Sequence, residues 1–224
     1  MAGANVLLAT IVLAGLAAAQ DTISFPTEDG GLIFADLYGG GTHAAVLAHG
    51  GQFNKESWRD QAQTLAGAGF HVLAFDFRGY GKSRGPDDKD PRAGPLQYDV
   101  LAAVRYLRKH GATSVSIVGG SMGGDAAGDA SIASAPGEID RIVFLGSSPD
   151  GPAEKLKCRS LFIVARDDTS GDGPRLPGIR AQYEKAPQPK ELIVLDGSAH
   201  AQFLFQTDQA GRVMREILRF LSAP

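Results

Sequence analysis

Short apolar runs and amphipathic stretches alternate along the chain from Thr22 onward, a pattern that predicts strands separated by helices. Seven runs have the length of strands, and most of them are apolar throughout, as is typical of strands buried on both faces of a parallel sheet. They are Leu32–Leu37, Ala44–Ala48, His71–Phe75, Ser114–Val118, Arg141–Leu145, Ser160–Ala165 and Glu191–Leu195. The pattern therefore predicts an α/β fold with a mostly parallel central sheet covered by helices.

The stretches between these runs predict five helices. They are Lys55–Ala68, Tyr98–His110, Met122–Ser134, Ile179–Lys185 and Gln209–Leu221. Asn54 is placed to cap the first of them, and Gly69 follows its end. Since the chain shows neither an internal repeat nor a second domain, we expect one α/β domain over residues 20–224.

The N-terminal run Val6–Ala19 differs from the rest because it is almost entirely apolar. It is shorter than the roughly 20 residues that a membrane-spanning helix needs, and it ends in three alanines. We therefore predict a signal peptide over residues 1–19 that is cleaved before Gln20, a secreted or periplasmic location, and no stable membrane insertion after cleavage. Because no Lys or Arg precedes Lys55, a membrane-anchoring or buried N-terminal helix and a cytoplasmic location stay open as alternatives.

Composition and charge narrow the classes of function. A net charge of −3 offers no electrostatic basis for binding nucleic acid or an anionic membrane surface. Cys158 is the only cysteine, so the chain can form neither an internal disulfide nor a thiolate metal cluster, and we expect a buried, inert thiol. The acidic residues within Gly85–Pro95 are expected to form a solvated loop rather than a metal site.

The segment from Gly119 to Gly123 matches the pattern G-x-S-x-G around Ser121. It directly follows a predicted strand and precedes a predicted helix, which is the setting that a nucleophile elbow requires. Glycines on both sides of Ser121 permit a sharp, strained turn and close packing of strand and helix. The sequence therefore predicts Ser121 as a nucleophile and the N–H of Met122 as a donor to the developing oxyanion.

A serine nucleophile needs a general base, and five histidines are available. His200 follows the last predicted strand and His49 ends the second, whereas the other three lie where solvent exposure or packing explains them: His43, His71 and His110. A carboxylate pair, Asp167 and Asp168, follows the strand Ser160–Ala165, at an end where an acid can reach the active-site face. A serine, then an acid, then a histidine is a known chain order for such triads, which favours His200 as the base.

From about Leu32 onward the chain resembles the α/β-hydrolases. Five segments in the order of that family carry the resemblance: the strand with His49-Gly50-Gly51, the Asp76–Ser83 stretch, the elbow, the acid loop and the histidine loop. The resemblance implies the α/β-hydrolase fold with helices on both faces of the sheet. It also implies that Gly51 supplies the second oxyanion-hole N–H, with Gln52 as a near alternative.

The same resemblance assigns the acid and several supporting residues. The family pattern Gly-x-x-Asp favours Asp168, although an alanine at position 165 in place of the glycine keeps Asp167 open. His49 is implied to brace the oxyanion loop, and Arg78 and Ser83 to hold loops. The acid on the elbow helix, Asp125, is expected to interact favourably with the helix dipole and to take no part in catalysis.

Asp168 follows Ser121 by only 47 positions, which leaves no room for a cap domain. The chain thus resembles small lidless members such as dienelactone hydrolase-like proteins, with serine in place of their cysteine. A serine nucleophile argues against those members of the family whose nucleophile is an aspartate, such as haloalkane dehalogenases and epoxide hydrolases. We expect a carboxylesterase for short acyl esters, a small-molecule partner, and no metal or organic cofactor. An amidase, peptidase or thioesterase with the same triad and a catalytically silent binding protein are the alternatives.

Overall fold

An eight-stranded sheet forms the centre of the computed structural model, which describes residues 21–223. In chain order the strands are β1 Asp21–Pro26, β2 Leu32–Gly39, β3 His43–Ala48, β4 His71–Phe75, β5 Ser114–Gly120, β6 Arg141–Leu145, β7 Arg159–Ala165, β8 Thr169–Ser170, β9 Gly173–Pro174 and β10 Lys190–Leu195. The sheet order is β1-β2-β4-β3-β5-β6-β7-β10, and β8 pairs with β9 in a separate hairpin. Neighbours are parallel from β4 to β10, while β2 is antiparallel to both β1 and β4. The prediction of a mostly parallel sheet is confirmed.

Five α-helices cover this sheet in two layers. They are α1 Arg59–Gly67, α2 Gln97–Lys109, α3 Met122–Ala133, α4 Arg175–Lys185 and α5 Ala210–Ser222. Helices α2, α3 and α4 pack on one face, and α1 and α5 pack on the other. Successive residues of a strand point to opposite faces, so Val46 of β3 lies in the first core and Leu47 in the second. A central strand therefore buries side chains on both faces and is mostly apolar, although β5 and β7 each bury a serine, Ser116 and Ser160.

Several elements differ from the prediction in their bounds or were not predicted. Residues Lys55–Trp58 form a 3₁₀ turn instead of the first turn of α1, and the Asn54 side chain caps this turn by accepting a hydrogen bond from the N–H of Ser57. Helix α4 begins at Arg175 and not at Ile179, since a proline such as Pro177 is tolerated in the first turn of a helix. Strand β1 was not predicted. It is a strand because its backbone pairs in antiparallel register with β2, which is a contact between separate segments.

The predicted signal peptide and its cleavage before Gln20 lie outside the described residues. In the described part of the chain, no helix combines the length and hydrophobicity that crossing a membrane requires.

Candidate active site

The turn between β5 and α3 places Ser121 at the carboxyl end of the parallel sheet. Ser121 has a φ of 49° and a ψ of −125°, a strained conformation for a residue with a side chain. A Cβ on Gly123 would lie 2.2 Å from the carbonyl oxygen of Ala48, and a Cβ on Gly119 would lie 2.5 Å from that of Gly123. The glycines of the motif are therefore needed because backbone occupies the space of a side chain.

Ser121, His200 and Asp168 form one chain of hydrogen bonds. His200 Nε2 lies 2.8 Å from Ser121 Oγ, and His200 Nδ1 lies 2.8 Å from Asp168 Oδ2. Since a carboxylate only accepts hydrogen bonds, Nδ1 carries the proton and leaves Nε2 free to accept from the serine hydroxyl. Asp168 is buried in the loop after β7, whereas Asp167 is exposed. The structure thus brings Asp168, and not Asp167, against the imidazole.

The predicted oxyanion-hole residues lie together beside the hydrogen-bonded Ser121 and His200. The N–H groups of Gly51 and Gln52 donate to no acceptor among the described residues, so both alternatives have a free donor. Met122 is the first residue of α3, where an N–H lacks an intrahelical acceptor and lies at the positive end of the helix dipole. The Tyr80 hydroxyl donates to the Gly51 carbonyl at 2.9 Å and lies 3.9 Å from Met122 Sδ, which links the two residues.

His49 is a buried support of the oxyanion loop. The N–H of Phe77 donates to its Nε2 at 3.2 Å, so its Nδ1 carries the proton and donates to the Gly50 carbonyl at 2.9 Å. Burial lowers the pKa of His49 to about 4, so the ring is neutral at pH 7. These contacts agree with the expectation, implied by the family resemblance, that His49 braces the oxyanion loop.

Arg78 and Ser83 hold neighbouring loops by hydrogen bonds, as the family resemblance implied. The buried Arg78 guanidinium donates to the carboxylates of Asp29 and Asp99 and to the Ala93 carbonyl. Ser83 Oγ accepts from a backbone N–H of β2 at 2.9 Å. Neither residue lines the cavities beside Ser121.

Three residues beside the site were not singled out from the sequence. A Cβ on Gly146, which follows β6, would lie 3.0 Å from His200 Nδ1 and 3.1 Å from Asp168 Oδ2. Arg175 Nε lies 3.5 Å from Asp168 Oδ1, at an ion-pair distance but without the alignment of a hydrogen bond. Gln202 is buried two positions after His200. A glycine directly after a buried strand was an available signal for Gly146; a lone Arg or Gln offered none.

Two cavities share Ser121 and Met122 in their walls. The phenylalanine cavity has a volume of about 250 Å³ and is lined further by Gly50, Gly51, Gln52, Phe53, Arg175, His200, Ala201 and Phe203. The acidic cavity has a volume of about 280 Å³ and is lined further by Leu96, Gln97, Asp125, Ala126, Asp129 and Asp150. The nucleophile is therefore accessible from two sides with different polarity.

Asp125, on the acidic cavity, differs in ionisation from the sequence expectation. Burial is the main cause that raises the pKa of Asp125 from 3.8 to about 7, and the negative charge of Asp150 is the second. The helix dipole would lower this pKa, so its effect is the smaller one. Burial likewise raises the pKa of the Cys158 thiol to about 11, which agrees with an inert thiol. Among the described residues, no group of three or more His, Cys, Asp and Glu side chains is arranged to hold a metal ion.

Similar proteins include relatives that match part of the sequence and solved structures that match most of the fold. Bifunctional epoxide hydrolase 2 of Sus scrofa is 39% identical over 83 residues, which cover 36% of this chain and 14% of that protein. An esterase structure from Pyrococcus furiosus superposes with a TM-score of 0.72 at 19% identity and covers 96% of each chain. Dienelactone hydrolase from Anabaena variabilis superposes with a TM-score of 0.70 at 21% identity, over 90% of this chain and 96% of that chain.

These matches differ in what they establish. The chain spans about a seventh of the length of the curated relative, and at 19% and 21% identity the structural matches concern the fold alone. A family model for the alpha/beta hydrolase fold matches residues 45–206, which is well over half of the chain. The resemblance inferred from the motifs is thereby confirmed, and the chain belongs to the α/β-hydrolase family.

Proposed function

We propose that this chain is a serine hydrolase that cleaves carboxylic esters with short acyl groups. The observation that carries the proposal is the pair of 2.8 Å hydrogen bonds that joins Ser121 Oγ, His200 and Asp168. A hydroxyl becomes a nucleophile at neutral pH only when a base is within hydrogen-bond reach, and the base needs a fixed orientation. Here His200 is the base within reach of Ser121 Oγ, and its hydrogen bond to Asp168 fixes its orientation.

The proposed reaction has two halves. His200 Nε2 takes the proton of Ser121 Oγ as the oxygen attacks the ester carbonyl, and N–H groups of Met122 and Gly51 stabilise the oxyanion. The protonated imidazole gives its proton to the leaving alcohol, and the acyl group stays on the serine oxygen. A water molecule, deprotonated by His200, then attacks the acyl-enzyme; the bond to Ser121 Oγ breaks, the acid is released, and His200 returns the proton to Ser121 Oγ. Asp168 holds the imidazole tautomer throughout, and the reaction needs neither a metal ion nor an organic cofactor.

Epoxide hydrolysis, the activity named for the pig relative, is disfavoured by the nucleophile itself. Attack of the Ser121 oxygen on an epoxide carbon would form an ether, which has no carbonyl for water to attack. The enzyme would then not be regenerated. Attack on an ester forms an acyl-enzyme, which the same base can hydrolyse.

The dimensions of the site support short acyl groups. At about 250 Å³, the phenylalanine cavity is smaller than the roughly 300–1,000 Å³ typical of sites for drug-sized ligands. The rings of Phe53 and Phe203 lie 4.9 Å apart, centroid to centroid, and provide an apolar wall. In the described part of the chain, only α3, β6, a 3₁₀ turn and β7 lie between Ser121 and Asp168, so no cap encloses the substrate there.

The experiment that tests the proposal is labelling of the purified protein with a fluorophosphonate. We expect labelling of the wild type and of Ser198→Ala, an exposed serine of the histidine loop, and none of Ser121→Ala. A folded wild type that is not labelled would refute the proposal and favour a silent binding protein. Matched esters, amides and thioesters of one acyl group then test the bond: a higher kcat/KM for the amide or thioester would overturn the ester assignment.

A further inference from the structure

Gln202 joins the histidine loop to the oxyanion loop. Its side chain is only 4% exposed, and its Oε1 accepts the Gly50 N–H at 2.7 Å. Its Nε2 donates to Ser57 Oγ at 2.8 Å, and Ser57 Oγ in turn donates to the Asn54 carbonyl. Both ends of the buried amide are therefore satisfied, and they hold two points of the same connection between β3 and α1.

Two glycines lie beside this side chain, and one of them, Gly120, is closely packed against it. A Cβ on Gly50 would lie 3.5 Å from Gln202 Oε1, and a Cβ on Gly120 would lie 3.3 Å from Gln202 Cγ. Gly120 immediately precedes Ser121, the proposed nucleophile. The Gln202 amide thus lies between the oxyanion loop and the elbow and contacts both.

The backbone that aims Gln202 inward is strained. Among residues 21–223, Ser121 and Ala201 are the only residues other than glycine with a positive φ, and both have a φ of 49°. Strain of this kind persists only where the surrounding structure holds it, and it concentrates at functional sites. The hydrogen bonds of Gln202 are such a restraint on Ala201, which follows His200 directly.

The direction of the Gly51 N–H depends on hydrogen bonds that hold the peptide units around Gly50. Gly50 and Gly51 lack side chains, so their own dihedral angles are weakly restricted. The peptide unit that carries the Gly51 N–H is held at its carbonyl, Gly50 O, by His49 Nδ1 and by the Phe53 N–H, both at 2.9 Å. Gln202 holds the other side of Gly50, at its N–H.

We propose that Gln202 is a positioning residue for the oxyanion hole, which it keeps in register with Ser121; this rests on the proposed function. It acts through Gly50 and does not touch the substrate oxyanion. Loss of its acceptor frees the Gly50 N–H and lets the Gly51 donor rotate away. Because misplaced donors weaken binding of the transition state more than of the ground state, the loss lowers kcat and not the affinity for the ester.

The test compares Gln202→Met, which keeps the length of the side chain but removes its hydrogen bonds, with Gln206→Met, an exposed glutamine of the same 3₁₀ helix. We expect Gln202→Met to lower kcat by a factor of about 10–100 with little change in KM. Affinity for a trifluoromethyl ketone, which forms a tetrahedral oxyanion on serine, falls by a similar factor. Gln202→Glu keeps an acceptor for Gly50 and recovers part of the loss, while Gln206→Met resembles the wild type.

A folded Gln202→Met protein with wild-type kcat and wild-type affinity for the ketone would overturn the inference. A fall in kcat with unchanged affinity for the ketone would also overturn it, since that result indicates a structural role only. If Gln202→Met does not fold, Gln202→Asn carries the test, because its side chain is one methylene too short to reach the Gly50 N–H. Wild-type kcat and wild-type affinity for the ketone in Gln202→Asn would refute the inference. Failure of the proposed function is distinct, because the wild type itself would then be neither labelled nor active.

Discussion

Gly146 lies against His200 so closely that a Cβ on the glycine would be 3.0 Å from the imidazole Nδ1. The same Cβ would lie 3.1 Å from Asp168 Oδ2, the atom that accepts the hydrogen bond of that nitrogen. Gly146 also has a φ of +61°, a conformation that side chains rarely adopt. The residue that follows β6 therefore lacks a side chain, which leaves room for the hydrogen bond between base and acid.

Gly146→Ala is expected to displace His200 and to lower kcat by a factor of about 10–100, because small misplacements of a catalytic group have effects of this size. Steady-state kinetics on a short ester measure the change. Gly137→Ala is the matched control, since Gly137 has a φ of +78° with no atom within 4 Å of the added Cβ. Gly137→Ala introduces the same backbone strain as Gly146→Ala but no contact with a neighbouring side chain. An equal loss of kcat in both variants would therefore contradict displacement of His200 as the cause.

Asp168→Asn is expected to lower kcat by about 10³–10⁴, because an amide stabilises the wrong imidazole tautomer and cannot stabilise the cation. Asp167→Asn, at the exposed neighbour, should leave kcat near the wild-type value. Single-turnover release of alcohol from an activated ester measures both. The assignment of the acid would be reversed if Asp167→Asn were the more damaging variant.

Asp125 makes the stability of the fold dependent on pH. Its pKa is about 7 in the folded protein and 3.8 when unperturbed, so between these values the folded state binds a proton that the unfolded chain has lost. The free energy of unfolding therefore falls as pH rises through this window and levels off above pH 7. Asp125→Asn, which keeps an acceptor for the Ser148 N–H, should match the wild type near pH 4 and be more stable by about 1–3 kcal/mol at pH 8.

Urea unfolding at pH 4, 6 and 8 measures this difference between Asp125→Asn and the wild type. Asp60→Asn is the control, because Asp60 lies in the first turn of α1 but is exposed. It loses a favourable interaction with the helix dipole and gains no stability at pH 8. A stability difference for Asp125→Asn that stays constant with pH would show that the carboxyl does not titrate in this range.

Phe203→Ala should shift the preference of the enzyme toward longer acyl groups. Removing the ring enlarges the phenylalanine cavity, and each methylene newly buried there contributes about 0.8 kcal/mol, so two extra methylenes raise the relative kcat/KM by roughly 10-fold. Competition between butanoyl and hexanoyl esters, whose acyl groups differ by two methylenes, measures the ratio. Phe205→Ala removes a ring that packs on Trp58 outside this cavity and should leave the ratio unchanged. A wild type that already prefers octanoyl esters would contradict the proposed substrate class.

The local patterns of the sequence determined the parallel core of the fold and the identity of the proposed nucleophile. Strands such as β3 and β6 are apolar at successive positions because both of their faces are buried, and this pattern is visible in a short stretch of sequence. Ser121 was recognisable because its flanking glycines are required by backbone contacts within the strand–turn–helix unit itself. His200 followed from its place after a predicted strand and from the order of the chain.

Only the tertiary structure decided the features that depend on contacts between distant segments. Asp167 and Asp168 are neighbours with the same chemistry, and only the path of the loop after β7 buries one beside His200 and leaves the other in solvent. The ionisation of Asp125 follows from burial and from Asp150, 25 positions away. Gln202 reaches Gly50 across 152 positions of sequence. Periodicity and motif spacing report on neighbours along the chain, whereas these pairings arise only when the sheet brings its loops to one edge.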